Sequence, residues 1–344
     1  MARYAAARFD PGDVASLALF DGTGREIAVA ALPERAHDSA VSPDGRLLVV
    51  VARRPGRFAL VLDTASLAPL ARLTPPPGAH FTGHGRFSAD GRRFFIAETD
   101  MVADRGRIGV HDVASGFTRI GGWDSGGVGP HDLALLPDGR HLIVANGGIA
   151  TDPTTGRDRV VRETMRPNLT ILALDDGTIV GKSDLGDGLR LASIRHLAVA
   201  GDGEVVFGCQ FEGDAGDGPP LVGAWSPANG AAPRLWEMPD PALARLSDYV
   251  GSVALDESGR FVAASSPRGG HFALFERASG GFLGLRAMAD VCGLAAGDRP
   301  GDFLATSGAA GVRRFAATAT GETRIDGLGA HVWDNHVTRI GAVG

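Results

Sequence analysis

The chain has 344 residues, of which 50 are Gly and 20 are Pro, and its formal net charge is −6. Glycine at about twice its usual frequency argues against a mainly helical protein, and the 44% hydrophobic content excludes a disordered one. The negative charge argues against a nucleic-acid partner, and no apolar run approaches the roughly 18 residues of a membrane helix. A β-rich globular protein with many tight turns remains.

The N-terminal region predicts three strands, Tyr4 to Phe9, Ala15 to Phe20 and Glu26 to Leu32. They precede the first copy of the repeat described below and have no inner strand of their own. The first residues lack the apolar core of a signal peptide. This observation leaves two interpretations, a cytoplasmic protein or a mature form from which an export leader has been removed.

A turn signature then recurs along the chain, beginning with Ser42-Pro43-Asp44-Gly45-Arg46. In each copy an Asp-Gly or Ser-Gly pair supplies the positive φ of a tight hairpin turn. The turn glycines, separated by 46, 48, 64 and 56 residues, are Gly45, Gly91, Gly139, Gly203 and Gly259. Apolar segments flank each turn, and a period of roughly 40–50 residues with insertions is typical of β-propellers.

Seven inner strands are predicted, near residues 36–41, 83–87, 131–135, 195–199, 251–255, 291–295 and 332–340. The last has no partners after it, so we expect it to pair with the three N-terminal strands. The fold class is therefore all-β, a seven-bladed β-propeller over residues 1–344 as one domain, closed by one C-terminal and three N-terminal strands. Two β-sandwich domains are the alternative, but no linker separates them.

The histidines fall into register with the turn glycines. His37 and His131 lie eight residues before Gly45 and Gly139, whereas His84 and His196 lie seven before Gly91 and Gly203. A fifth, His336, lies on the closing inner strand. Inner strands border the central channel, so we expect these imidazoles to converge near the axis. Imidazole is the commonest metal ligand and suits iron, copper, zinc and nickel.

Three observations qualify this metal site. A histidine at the channel mouth also has an ordinary structural interpretation, a hydrogen bond to water or to a neighbouring blade. Offsets of seven and eight point to opposite faces of a regular strand, so a shared site requires a β-bulge. The side-chain oxygens expected to complete or orient the site belong to Asp38, Asp132, Asp334 and Glu98.

The remaining histidines are not predicted to be core ligands of the metal site. His80 is four residues before His84 and is a candidate additional ligand, whereas His331 is ambiguous. His111, His141 and His271 are predicted to be surface residues. Cys292 precedes an apolar inner strand and is interpreted as a buried, inert thiol.

A family resemblance covers essentially the whole chain. The sequence resembles the bacterial domain of unknown function fifteen-thirteen family in these segments: Gly83-His84-Gly85, Gly129-Pro130-His131-Asp132, Ala145-Asn146-Gly147-Gly148-Ile149, Thr164-Met165-Arg166-Pro167-Asn168-Leu169, Ser193-Ile194-Arg195-His196-Leu197, Tyr249-Val250-Gly251-Ser252-Val253, Ala264-Ser265-Ser266-Pro267-Arg268-Gly269-Gly270, Val291-Cys292-Gly293-Leu294 and Trp333-Asp334-Asn335-His336.

That family is similar to seven-bladed propellers of the quinoprotein or YVTN type. Its members typically carry an export leader, and their genes often neighbour imelysin-like and di-haem peroxidase-like iron-uptake genes. The resemblance therefore implies a periplasmic protein connected with metal uptake, and no reaction. This chain departs from the pattern in lacking the leader and in reading Ala36-His37-Asp38 where Gly-His-Gly is expected.

Three hypotheses follow. The first is a monomeric periplasmic propeller for iron or copper acquisition or handling, with His84, His131, His196 and His336 as core ligands and His37 as a fifth. The second is an oxidoreductase with a multi-histidine copper or iron centre. The third is a non-catalytic scaffold that docks an imelysin-like or haem-containing partner. Zinc remains an alternative metal, and no membrane span is expected.

Overall fold

The computed structural model describes residues 2–151, 158–159, 161–318, 322–325, 328 and 331–341. Within these ranges the regular structure is almost entirely β-strand. Helical structure in the described part consists of α1 (Asp240–Ala244) and two 3-10 turns, Asp187–Leu189 and Pro227–Asn229. None of the described helices is long and apolar enough to cross a membrane.

Seven four-stranded antiparallel sheets form the blades, which we number along the chain. Blade 1 contains β1 (Arg3–Asp10), β2 (Val14–Asp21), β3 (Glu26–Ala31) and β30 (Val332–Ile340). Blade 2 contains β4 (Ala36–Val41), β5 (Leu47–Ala52), β6 (Ala59–Asp63) and β7 (Pro69–Leu73). Blade 3 contains β8 (Ala79–Phe87), β9 (Arg93–Asp100), β10 (Arg105–Asp112) and β11 (Thr118–Asp124).

Blade 4 contains β12 (Pro130–Leu135), β13 (His141–Asn146), β16 (Asn168–Ala173) and β17 (Ile179–Ser183), and its insertion forms β14 (Ala150–Thr151) and β15 (Asp158–Arg159). Blade 5 contains β18 (Ala192–Val199), β19 (Val205–Phe211), β20 (Val222–Trp225) and β21 (Arg234–Leu235). Blade 6 contains β22 (Ser252–Leu255), β23 (Phe261–Ser266), β24 (His271–Glu276) and β25 (Gly281–Ala287). Blade 7 contains β26 (Val291–Ala296), β27 (Asp302–Ser307), β28 (Gly311–Ala316) and β29 (Glu322–Arg324).

The ring closes within blade 1. The C-terminal strand β30 pairs antiparallel with β1, from Arg3 opposite Ile340 to Phe9 opposite Val332. Each inner strand also contacts the inner strands of its two neighbours, in the cyclic order β30, β4, β8, β12, β18, β22, β26. The predicted seven-bladed propeller is therefore confirmed, with its closure by one C-terminal and three N-terminal strands.

The predicted hairpin turns connect the two innermost strands of the blades. In blade 2, Gly45 has a φ of 72°, which the left-handed turn position requires. The Ser42 hydroxyl donates to Asp44 Oδ1 at 2.6 Å, and the same oxygen accepts the Arg46 amide at 3.1 Å. Blade 3 repeats this contact between Ser88 and Asp90. Turn chemistry thus sets where each inner strand ends, and hence which residues border the channel.

The apolar residues pack between blades. One cluster lies between blades 1 and 2 and includes Leu17 and Leu48, and another lies between blades 2 and 3 and includes Val49 and Phe94. Similar clusters fill the remaining interfaces around the ring. Because the core is distributed around the ring, the axis is left to polar side chains.

Candidate metal centre

β-Bulges place the histidines at the axis. Between β4 and β5, Ala36 pairs with Ala52 and Asp38 with Val51, so His37 is one extra residue. Blade 4 has the same bulge, with His131 between the paired residues Pro130 and Asp132. A bulged residue escapes the strict alternation of a strand. The bulge that the unequal offsets required is therefore present.

The pairing of each inner strand with its neighbour explains why some histidines lie seven and others eight residues before the turn glycine. Counting pairs from the hairpin turn, the fourth inner-strand position holds Asp38 in blade 2, Asp132 in blade 4 and His196 in blade 5. In blade 3 the third pair is Gly85 with Ile96, and His84 follows it directly. His84 and His196 therefore occupy the fourth position, whereas His37 and His131 are the bulged residues just beyond it. His336 lies in the corresponding irregular segment of β30, next to Val337.

All five predicted histidines come together. Eight of their ten ring pairs have centroids within 5.9 Å of each other. Four rings form a quadrilateral, with centroid separations of 5.9 Å for His37–His131, 4.7 Å for His131–His196, 5.0 Å for His196–His336 and 4.8 Å for His336–His37. His84 lies 4.8, 5.1, 5.9 and 4.9 Å from His37, His131, His196 and His336. The rings thus form a square pyramid with His84 at its apex, which we call the five-histidine cluster.

The cluster matches the dimensions of a single metal site. Imidazole nitrogens bind first-row ions at about 2.1 Å, which places the centroids of adjacent rings about 4.6 Å apart. The observed separations of 4.7–5.9 Å are slightly longer. In two triads, His37–His84–His131 and His84–His196–His336, one ligand atom from each residue lies within 4.8 Å of the others. Small movements of the rings would complete a common site.

The ring nitrogens are buried without partners. Nε2 of all five histidines lacks a hydrogen bond, although four of the rings are at most 8% exposed. A buried polar atom without a partner costs about 1–3 kcal/mol, so five together require an explanation. Burial and neighbouring charges hold the pKa of His37, His131 and His196 well below 6.5, and burial lowers the pKa of His336 to about 4. These four imidazoles are neutral at neutral pH, the form that binds metals.

Two carboxylates and one arginine support the apex. Asp38 Oδ2 lies 2.9 Å from His84 Nδ1, and Asp132 Oδ1 lies 3.4 Å from it. Arg86 donates to both acids, at 2.8 Å to Asp38 and 3.3 Å to Asp132. Burial alone would raise the pKa of Asp38, but Arg86 and His84 outweigh it and hold that pKa well below its usual value. The charged Asp38 therefore keeps the proton of His84 on Nδ1 and leaves Nε2 as the donor atom.

A channel of about 580 Å³ leads from the cluster towards the hairpin turns. His84, His196 and His336 reach it from the cluster, and its lining continues past Arg86 to Gly45 at the turn end. Ser252, Val253 and Leu294 line it from blades 6 and 7. The cluster is therefore accessible from one end of the propeller axis.

Several predicted roles differ from the structure. Glu98 is buried but pairs with Arg119, and Asp334 pairs with Arg35 at 2.5 Å, so neither orients the cluster. His80 is fully buried, has Nδ1 2.9 Å from the carbonyl of Phe81, and is not in either histidine triad.

Among the lesser histidines, the prediction of a surface position is wrong for His111, which is 3% exposed because its Nδ1 lies 2.9 Å from the Phe117 carbonyl. His141 and His271 are half-buried, next to Asp138 and Gly269. Nδ1 of His331 lies 3.0 Å from Oδ1 of Asp10. Cys292 is buried, as predicted, and burial raises its pKa to about 12.

Sequence reasoning missed Arg86 and the glycines that make room for the rings. A Cβ at Gly83 would lie 2.9 Å from Cγ of His37, and Gly83 has a φ of +117°. A Cβ at Gly293 would lie 2.8 Å from the amide nitrogen of Val337 and 2.9 Å from the carbonyl carbon of His336. Gly83 and Gly293 both stand in segments that carry the family resemblance, but nothing in those segments indicates what the glycines contact.

The comparisons with known proteins give a family. The family model described as "Protein of unknown function (DUF1513)" matches residues 30–340. The chain belongs to this family. No curated protein sequence matches significantly. Among solved structures, Kuenenia stuttgartiensis hydrazine synthase is similar at a TM-score of 0.68 and 14% identity, over 93% of this chain and 95% of that one. At this identity the similarity shows the fold of this DUF1513 member and nothing about its chemistry.

Proposed function

We propose that this DUF1513 protein binds one ion of iron or copper in the five-histidine cluster and serves in the acquisition or handling of that metal. The observation that carries the proposal is the convergence of five imidazoles whose Nε2 atoms are buried and have no partner. A bound ion would satisfy all five at once. We place this activity in the periplasm, as the family resemblance implies, with an imelysin-like or haem-containing protein as the partner.

The geometry favours iron or copper over zinc. Structural zinc sites are almost always tetrahedral with four ligands, whereas tetragonal nitrogen sites are typical of Cu(II), and imidazole also suits iron. The square pyramid of rings offers five nitrogen donors around one centre. Because all five donors are imidazoles, the site has no thiolate, which would select Cu(I).

Metal analysis of protein purified without an affinity tag tests the proposal. We expect about one equivalent of iron or copper per chain by elemental analysis, or tight binding of one equivalent added to the metal-free protein. His84→Ala together with His196→Ala should abolish that binding. His141→Ala is the matched control, since His141 begins β13 next to the hairpin turn, beside Asp138. Unchanged metal content in the double variant would contradict the proposal.

An oxidoreductase is the second candidate. Catalytic metal sites keep a coordination position open, and a channel of about 580 Å³ reaches this cluster. Redox turnover by the metal-loaded protein would support an enzyme, whereas metal binding without turnover would support a role in metal handling. If neither is observed, a scaffold that binds its partner equally well with and without the histidines becomes the better hypothesis.

A further inference from the structure

We propose that the five-histidine cluster leaves its sixth coordination position facing blades 6 and 7, where a small external ligand with an oxygen or nitrogen donor binds. The inference rests on the proposed metal site and adds its direction, its ligand class and its route of access.

The direction follows from where the apex lies. The five histidines come from blades 1 to 5, and His84 belongs to blade 3, the middle one. His84 is also the apex of the pyramid by the ring distances. In a ring of seven, blades 6 and 7 lie opposite blade 3. The open base of the pyramid therefore faces blades 6 and 7.

Small residues occupy those two blades at the level of the cluster. The fourth position from the turn, which holds His84 and His196 in blades 3 and 5, holds Ser252 in blade 6 and Gly293 in blade 7. The next position holds Gly251 and Cys292. Neither blade places an imidazole opposite His84, and both Ser252 and Leu294 line the channel. The Gly293 position itself is filled by the backbone of β30, so the space for a sixth ligand lies on the Ser252 side of this direction.

The chemistry of the site limits the ligand. Imidazole ligands add no charge of their own to a bound ion, and Asp38 and Asp132, bridged by Arg86, offset only part of its charge. The remaining positive charge favours an anion or a strongly dipolar molecule at the sixth position. Asp38 and Asp132 line the channel and are bridged by Arg86, so the walls carry more negative than positive charge and oppose large polyanions. A ligand of a few atoms satisfies both conditions.

Azide binding to the Cu(II)-loaded protein provides the test. We expect azide to bind at one equivalent per copper, with a new charge-transfer absorption band and a changed electron paramagnetic resonance spectrum. Ser252→His places a sixth imidazole at the fourth position of blade 6 and should weaken azide binding at least tenfold while copper content stays at one. Ser279→His, on an exposed turn of the same blade, is the matched control.

The outcomes separate this inference from the proposed function. Failure of the wild-type protein to bind either copper or iron would contradict the metal site itself, and if only iron binds, the same azide titration is made on the Fe(III)-loaded protein. One bound copper with no response to azide would overturn the inference alone, as would unchanged azide affinity in Ser252→His. If Ser252→His does not fold by circular dichroism, Ser252→Leu fills the same space without a donor. It should likewise weaken azide binding at least tenfold, and unchanged affinity there would overturn the inference.

Discussion

The imidazole of His84 is held by groups from both neighbouring blades. Asp38 lies 2.9 Å and Asp132 3.4 Å from its Nδ1, and Arg86 bridges the two acids. This arrangement fixes the ring plane and makes Nε2 the basic nitrogen. Carboxylates that hold a ligating histidine in this way typically contribute 10–100-fold to metal affinity.

Asp38→Asn should therefore weaken metal binding by roughly 10–100-fold. The amide keeps the size of the side chain but cannot hold the charge that orients the proton of His84. Competition with a chelator of known affinity measures the change. Asp90→Asn, at an exposed hairpin turn of blade 3, should leave affinity unchanged. Equal affinity in Asp38→Asn and the wild-type protein would show that Asp38 does not position the ligand.

The metal-free protein should lose stability as the pH falls below 6.5. Burial lowers the pKa of His336 to about 4 in the folded state, and those of His37, His131 and His196 are also well below 6.5. Unfolded histidines titrate near 6.5, so the unfolded state binds protons first and is stabilised between pH 6.5 and about 4. The free energy of unfolding, from urea titrations at several pH values, should fall by a few kcal/mol across this range.

The variant His336→Gln should reduce that pH dependence, since it removes one of the titrating groups. The low pKa of Asp38 also stabilises the folded state. This contribution is lost in a separate pH range, because it begins to fall only below about 3.9, the pKa of an unfolded aspartate. Stability that stays constant from pH 6.5 to 4 would contradict the burial of neutral imidazoles in the cluster.

At the scale of the strand, bulges and glycines together bring the rings to the axis. The bulges at His37 and His131 rotate those side chains out of the regular alternation. Gly83, whose neighbour His84 forms the apex, leaves room for the ring of His37. One inner strand therefore supplies one imidazole of the cluster and also makes space for the imidazole of the preceding blade.

Gly83→Ala should displace His37 and lower metal affinity at least tenfold. Its Cβ would lie 2.9 Å from Cγ of His37, and a φ of +117° disfavours any side chain. Isothermal titration of the metal-free protein measures the affinity. The matched control is Gly121→Ala in β11, where a Cβ meets nothing within 4 Å. If both variants bind metal like the wild-type protein, close approach at Gly83 is unimportant for the site.

At the scale of the whole molecule, one ion would join five of the seven blades. Binding to the folded state alone stabilises a protein by about 2.7 kcal/mol when free ligand is at 100 times Kd. Added Cu(II) or iron should therefore raise the Tm by several degrees, measured by scanning calorimetry. His84→Ala should remove the shift, whereas His141→Ala should keep it. A shift that survives in His84→Ala would indicate metal binding elsewhere.

The propeller and the members of the cluster were predictable because their signals are periodic. The turn glycines such as Gly45 and Gly91 mark the hairpins, and the histidines fall at fixed offsets from them. The role of Arg86 and the space at Gly83 and Gly293 depend on contacts between neighbouring blades, across tens of residues of sequence, and have no local pattern. The unequal offsets indicated that a shared site requires a bulge, but only the strand pairing shows that the bulged residues are His37 and His131.

The closure of blade 1 must precede completion of the five-histidine cluster. His336 lies on β30, which pairs with β1, so the fifth imidazole reaches the axis only after strands from the two ends of the fold have met. A chain made only as far as blade 7 carries four of the histidines on an open arc. During synthesis, the complete set of five imidazoles can therefore assemble only after β30 has been made and has paired with β1.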